Sequence, residues 1–150
     1  MEKKKETLRI VAILLFLAYL LLLAYLLFFS SAYGRTEEMG YRYNLKPFLE
    51  IARGIRYIDH VGYSYVLMNI GGNIAAFMPF GWLVPLISLR RQNTGKILFQ
   101  TFLLSLSAET IQLVTRTGAF DVDDLILNTL GGILGYWCYY LLFGRRRKKK

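Results

Sequence analysis

Four long apolar runs, separated by shorter segments that hold most of the charged residues, divide the chain. Three of the runs contain no charged side chain and the other contains only Glu109. A helix needs about 20 apolar residues to cross a hydrocarbon core of about 30 Å, and each run is long enough. None alternates apolar and polar positions as the strands of a membrane barrel do. The pattern predicts an all-α integral membrane bundle, one domain over 1–150, with four transmembrane helices at 10–30, 63–87, 97–115 and 125–143.

The segment between the first two helices has a helical pattern of its own. Apolar residues recur at every third or fourth position, and basic and aromatic side chains lie elsewhere on the wheel. The apolar set is Phe48, Ile51, Ala52, Ile55 and Ile58, and the other set is Arg53, Arg56 and Tyr57. This spacing predicts a short amphipathic helix lying in the outer membrane interface, which is also compatible with a helix that caps the bundle.

The distribution of basic residues predicts how the bundle is oriented. The formal net charge is +9, which would indicate nucleic-acid binding if the basic side chains shared one folded face. Instead, four precede the first helix, three lie between the second and third, and six form the tail at 145–150. If the four helices cross the membrane one after another, these residues all lie on the same side of it. We therefore predict a cell-membrane protein with both termini cytoplasmic. The tail would bind anionic inner-leaflet lipids, and nucleic acid is not an expected partner.

Composition excludes several other classes of protein. An apolar share of 55% is incompatible with a disordered chain. With one cysteine, Cys138, and one histidine, His60, the chain forms neither an internal disulfide nor a histidine-rich metal site. The first apolar run is longer than the core of a signal peptide, so we interpret it as a retained anchor. No motif for a cofactor is recognised, and none is expected.

Polar residues interrupt the later apolar runs at helical spacing. The stripes are Asn69 and Asn73 on the second helix, Glu109, Gln112 and Arg116 on the third, and Asp124 and Asn128 with Gly131 and Gly135 on the fourth. With the helices crossing in this order, all of these polar residues lie in the outer half of the membrane. We therefore expect them to meet in one pocket. Polar groups at this depth are functional candidates, and the alternative is a polar clasp that joins the helices. The two glycines favour close helix packing.

Glu109 is the residue that most needs a partner. A carboxylate at this depth must be protonated, paired with Arg116 or hydrogen-bonded by Asn73 or Asn128. We expect it to belong to one ligand-binding set at the outer end. That set is Asn69, Asn73, Glu109, Gln112, Arg116, Asp121, Asp123, Asp124 and Asn128.

Three aspartates stand at the mouth of the fourth helix. Asp123 or Asp124 is predicted to cap this helix, because carboxylates favour helix N-termini. Capping accounts for two of the group at most, which leaves Asp121 or one of the others for a second role. The cluster lacks the ligand spacing of a calcium loop, and no metal site is predicted.

Several short blocks between residues 44 and 135 carry a family resemblance. They are Asn44–Phe48, Asn69–Asn73 continued by Phe77–Gly81, Glu109–Gln112, Arg116, and Phe120–Gly132 followed by Gly135. In this order they resemble the VanZ family of small bacterial membrane proteins, although Lys46 stands where that family often has an apolar residue. The family takes its name from a factor in resistance to the glycopeptide antibiotic teicoplanin. The resemblance implies a membrane fold and a cell-envelope setting, and it implies no particular reaction.

We favour a non-enzymatic envelope factor over a catalyst. Its ligand would be a lipid head group, a cell-wall precursor or a lipoglycopeptide, guided to the pocket by Arg53 and Arg56. The alternative is a membrane enzyme acting on a lipid-linked envelope substrate, with Glu109 as general acid or base and Asp124 as second carboxylate. A proton- or ion-coupled carrier is a third hypothesis, and four helices without an inverted repeat would have to oligomerise for it. The sequence leaves the oligomeric state open.

Overall fold

A computed structural model describes the backbone of residues 2–29 and 41–144, and the side chains from residue 6 onwards in these ranges except at 61 and 65. In chain order the elements are α1 Glu2–Phe28, β1 Tyr43–Asn44, α2 Leu49–Arg56, α3 Ile58–Val61, α4 Tyr63–Ile87, α5 Thr94–Thr115, β2 Phe120–Asp121 and α6 Val122–Phe143. The predicted basic tail at 145–150 and the last position of the first predicted helix lie outside the described residues.

Four helices are long and apolar enough to cross a membrane, which confirms the predicted fold class. Their apolar stretches are Glu6–Phe28, Val66–Ile87, Thr94–Thr115 and Val122–Phe143. α1 and α5 end at the end of the bundle where α4 and α6 begin, as shown by hydrogen bonds there that join Leu27 to Gln112, Glu109 to Asp121 and Asn73 to Asp124. The four helices therefore run alternately up and down in sequence order, as four successive membrane crossings require. The cytoplasmic placement of the termini stays a prediction.

Three helices begin earlier than predicted: α1 begins at Glu2, and α5 and α6 begin early because polar residues cap them. α5 begins at Thr94, where the side chain of Asn93 accepts a hydrogen bond from the Lys96 N–H at 2.9 Å. α6 begins at Val122, where the carboxylate of Asp121 accepts one from the Asp123 N–H at 2.8 Å. The prediction that Asp123 or Asp124 caps α6 was wrong. Asp121 has the extended backbone that a capping residue needs, whereas both of the others lie inside the helix.

Glycines let α4 and α6 approach each other closely, and these two helices share the largest contact in the described part of the chain. A Cβ atom added at Gly131 or Gly135 would overlap the backbone carbonyl of Ile74 or Met78. The same holds in reverse at Gly81, whose added Cβ would overlap the Gly132 carbonyl. The predicted role of Gly131 and Gly135 in close packing is confirmed, and it fixes α4 against α6 just below the polar residues.

The predicted amphipathic segment forms two short helices rather than one. α2 ends at Arg56, and α3 starts at Ile58 after a break at Tyr57. α2 buries none of its residues within the chain, and Phe48 and Ile55 are more than half exposed. Its apolar face is therefore free for contact outside the chain. The placement of α2 in the membrane interface stays a prediction.

Candidate functional site

A polar cluster occupies the end of the bundle where α4 and α6 begin. We define the polar cluster as Asn44, Asn73, Glu109, Asp121, Asp123 and Asp124, with Ser105 and Asn128 forming its floor. Its members come from β1, α4, α5, β2 and α6. Several of them are almost completely buried, with exposures of 2% for Glu109 and 1% for Asp123 and Asn128. Buried polar side chains need partners, and those partners define what each residue does.

Asp123 holds α2 on the bundle. Its carboxylate accepts hydrogen bonds from the backbone N–H groups of Phe48 at 2.5 Å, Glu50 at 2.9 Å and Ile51 at 3.1 Å. These are donors at the N-terminus of α2, where no side chain of α2 itself provides a cap. The positive end of the helix dipole favours this carboxylate further. Asp123 is thus a structural anchor, although the sequence placed it among the ligand-binding residues.

Asp121 links three parts of the cluster. Besides capping α6, its carboxylate accepts a hydrogen bond from the Asn44 side chain at 3.0 Å, and its N–H donates to Glu109 Oε2 at 3.0 Å. Asn44 pairs with Asp121 in a two-stranded parallel sheet, which brings the two side chains together. Burial raises the pKa of Asp121, with contributions from the nearby charges of Asp123 and Glu50, and the hydrogen bonds it accepts oppose the shift.

Glu109 has a partner that the sequence did not predict. The expected partners were Arg116, Asn73 and Asn128, and the structure contradicts all three. Instead the backbone N–H of Asp121 reaches Glu109, because β2 folds back over the end of α5. Arg116 ends α5 in a left-handed conformation, with φ of 58°. From there its guanidinium lies 4.6 Å from the centre of the Tyr41 ring, in a cation–π contact.

Asp124 is the carboxylate with unused capacity. Its Oδ1 accepts a hydrogen bond from the Asn73 side chain at 2.5 Å, which joins α6 to α4. Within the described residues its Oδ2 accepts none, and the side chain is only partly buried. This hydrogen bond brings together the polar stripes of α4 and α6, which were predicted to meet, although the pairing of these two residues was not predicted. Of the carboxylates in the cluster, Asp124 is therefore the one best placed to meet a ligand.

The floor of the cluster is a buried amide and a buried hydroxyl. The Asn128 side chain donates to Ser105 Oγ at 2.9 Å, and both residues are almost fully buried. Asn128 Oδ1 is also buried and accepts no hydrogen bond from the described part of the chain. A buried acceptor without a donor costs free energy, on the order of 1–3 kcal/mol, so this atom would gain from a donor on a bound molecule.

The remaining predicted residues lie outside this hydrogen-bond network. Gln112 donates from its side chain to the Leu27 carbonyl at 2.9 Å and so joins α5 to the end of α1. Arg116 contacts Tyr41, as described above. Asn69 lies one turn before Asn73 and is partly buried, and its side chain makes no hydrogen bond within the described residues. Asn69 thus borders the cluster without joining it.

Two members of the cluster were missed by the sequence analysis. Asn44 was noted only as part of a motif, although it fixes Asp121. Ser105 lies one turn before Glu109 on the same face of α5, so its helical spacing was a signal that could have included it. Short hydroxyl side chains are common in membrane helices, which makes this signal weak on its own.

The cluster is acidic, and no basic side chain in the described ranges forms an ion pair with it. Among the described residues there is one ion pair, between Arg53 and Glu50 at 2.6 Å, and it lies on the exposed surface of α2. No group of three or more acidic, histidine or cysteine side chains in the described ranges has the arrangement of a metal site. The cluster therefore presents carboxyl and amide oxygens near the surface of the bundle.

Comparison with known proteins identifies a family and a curated relative. Residues 16–143 match the VanZ/LLP1 family. A stretch of 78 residues is 37% identical to Protein VanZ of Enterococcus faecium. That stretch covers 52% of this chain and 48% of the relative, so the match spans about half the length of the relative. No solved structure matches the chain.

Proposed function

Because the chain belongs to the VanZ/LLP1 family, we propose that it is a multi-pass envelope protein that lowers susceptibility to teicoplanin-type glycopeptides. It would do so without catalysis, by binding a lipid head group, a cell-wall precursor or the drug at the polar cluster. The name of the curated relative and the four apolar helices support the setting. The positive-inside distribution of basic residues supports an outward-facing cluster.

This proposal rests on the different hydrogen-bond partners of the three aspartates. Asp121 and Asp123 are occupied by backbone and side-chain donors that build the end of the bundle. Asp124 has one partner, Asn73, and a free oxygen on a partly exposed side chain. A carboxylate held rigidly by its neighbours, yet open on one side, is suited to bind rather than to support the fold.

Exposed cations at the same end would attract envelope molecules. Arg56 lies on α2 and Arg116 at the end of α5, and both side chains are exposed. Arg53, which was expected to act with Arg56, is held by Glu50 on the same helix. Arg56 and Arg116 would attract the phosphate or carboxylate of a zwitterionic envelope molecule, and exposed charges of this kind act more on association rate than on affinity.

The burial of Glu109 favours binding over catalysis. With 2% of its surface exposed, Glu109 lies beneath the Asp121 backbone that it binds. A general acid or base must come within hydrogen-bond reach of its substrate, and Oε2 of Glu109 is already engaged by the Asp121 N–H. The enzyme hypothesis predicts altered masses of lipids or muropeptides in cells that express the protein. We expect those masses to be unchanged.

The test is the teicoplanin susceptibility of cells that express the wild type or Asp124→Asn at equal levels in the membrane. Asparagine keeps the shape of the side chain and an acceptor for Asn73 but removes the charge, so we expect protection to fall to that of cells without the protein. Asp59→Asn, which removes an exposed acid on α3, is the matched control and should protect like the wild type. Full protection by Asp124→Asn would refute a role for the cluster.

A further inference from the structure

The polar cluster has more hydrogen-bond acceptors than donors. Asp124 Oδ2, the second oxygen of Glu109 and Asn128 Oδ1 accept no hydrogen bond within the described residues. Asn128 Oδ1 is the most informative of these atoms, because it is buried and its residue is only 1% exposed. Native proteins rarely leave such an atom without a donor. A bound molecule with N–H or O–H groups would donate to these three oxygen atoms.

The unfilled acceptors belong to one region. Asn128 lies one turn after Asp124 on the same face of α6. Side chains on a helix lean towards its N-terminus, so Asn128 leans towards Asp124 and the mouth of the cluster. Its amide nitrogen donates to Ser105 of α5, one turn before Glu109, so the oxygen is the amide atom left for another donor. A group that enters past Asp124 thus approaches the acceptor on Asn128.

The carboxyl groups of the region disfavour an added anion. Glu109 lies within electrostatic range of Asp124 and Asp121, and Asp124 within range of Asp121 and Asp123. No basic side chain in the described part of the chain forms an ion pair with any of these four carboxylates. A phosphate or sulfate would add negative charge to this group and would supply acceptors where donors are missing. An anionic head group is therefore a poor fit to the centre of the cluster.

We infer that the group bound at the polar cluster is a primary ammonium, which contacts Asp124 and fills the acceptor on Asn128. An ammonium is a compact cation with three N–H donors, which matches both the charge and the missing donors. A quaternary ammonium has the charge but no N–H group. This inference rests on the proposed function and names the chemistry of its ligand, which is an amine on a lipid head group or on a soluble molecule.

One arm of the test asks whether a lipid provides the amine. The full chain is reconstituted in phosphatidylglycerol vesicles that contain equal shares of phosphatidylethanolamine and phosphatidylcholine, and the lipids that stay bound are counted by native mass spectrometry. We expect about a tenfold preference for phosphatidylethanolamine in the wild type and in Asp59→Asn, and no preference in Asp124→Asn.

The other arm asks whether a soluble molecule provides it. Teicoplanin with its amine free or acetylated is titrated onto the full chain in phosphatidylglycerol nanodiscs by calorimetry. If the drug is the source, acetylation and Asp124→Asn each weaken binding about tenfold, whereas Asp59→Asn does not. Unchanged melting temperatures would show that each variant is folded.

The two arms separate this inference from the proposed function. An amine preference in either arm that disappears in Asp124→Asn supports the inference and identifies the source. The inference is overturned if neither arm shows an amine preference, or if the preference survives in Asp124→Asn. Loss of teicoplanin protection in Asp124→Asn without any amine preference would leave the proposed function standing and refute only the ammonium.

Discussion

Asp121, Asp123 and Asp124 lie within four consecutive positions, and each carboxylate bonds a different part of the molecule. Asp121 precedes the helix and caps it, Asp123 bonds the N–H groups of α2, and Asp124 bonds Asn73 of α4. Successive residues on a helix point about 100° apart, so neighbours in sequence face different elements. A run of similar residues can thus combine structural and ligand-binding roles.

The anchoring role of Asp123 predicts a local effect when it is removed. Asp123→Ala leaves three backbone N–H groups of α2 without an acceptor, and we expect α2 to be destabilised by about 2 kcal/mol. That corresponds to a roughly 30-fold increase in the open population. Hydrogen exchange at Glu50 and Ile51 should speed up accordingly, with a smaller change in Asp123→Asn. Unchanged exchange in Asp123→Ala would show that α2 is held by other contacts.

The raised pKa of Asp121 predicts a pH dependence with a definite sign. Burial makes the folded state hold the proton of this carboxyl at higher pH than the unfolded state does. Stability from this group is complete below the ordinary Asp pKa of about 3.9 and is lost as pH rises through the folded-state pKa. Asp121→Asn does not titrate and keeps an acceptor for the Asp123 N–H.

The melting temperature of Asp121→Asn relative to wild type should therefore rise as pH increases from about 4. Asp59→Asn, at an exposed position, serves as the control. A difference that stays constant or falls with pH would contradict the assignment.

Among the helices, the close contact between α4 and α6 depends on glycines, which have no side chain. Gly135→Ala puts a methyl group onto the Met78 carbonyl, and we expect a loss of about 1–3 kcal/mol in the free energy of unfolding. Gly71→Ala is the matched control, because its added Cβ would meet only the Leu67 side chain at 3.6 Å. Alanine is the better helix former, so this control should be as stable as wild type or more stable. Equal melting temperatures for the two variants would refute close packing at Gly135.

The long helices could be predicted from the sequence, but the connections between them could not. Apolar runs require transmembrane helices because the bilayer offers the backbone no other partner. The pairing of Asn44 with Asp121 depends on two-residue strands far apart in the chain, and such short strands have no periodicity to recognise. The same applies to the capping of α2 by Asp123, which depends on a residue from another helix. The sequence thus predicted that the polar residues lie close together, but it did not predict which of them bond to each other.

For the molecule as a whole, the proposed function requires that the polar cluster face the outside of the cell. Single cysteines introduced in a Cys138→Ala background test this directly. Asp59→Cys, near the cluster, should react with a membrane-impermeant maleimide in intact cells. Leu89→Cys, at the opposite end and 84% exposed, should react only after permeabilisation. The reverse pattern would place the cluster in the cytoplasm and exclude contact with an extracellular drug.

The most direct measurement is to trap what binds beside the cluster. A photo-crosslinking amino acid is placed at Asn69, which borders the cluster and makes no hydrogen bond within the described residues, or at Leu89 at the other end. After irradiation of living cells exposed to teicoplanin, the adducts are identified by mass spectrometry. We predict an adduct with an amine-bearing lipid or the drug at position 69 that is lost in Asp124→Asn and absent at position 89. Equal adducts at both positions, or an adduct at 69 that does not depend on Asp124, would contradict the account.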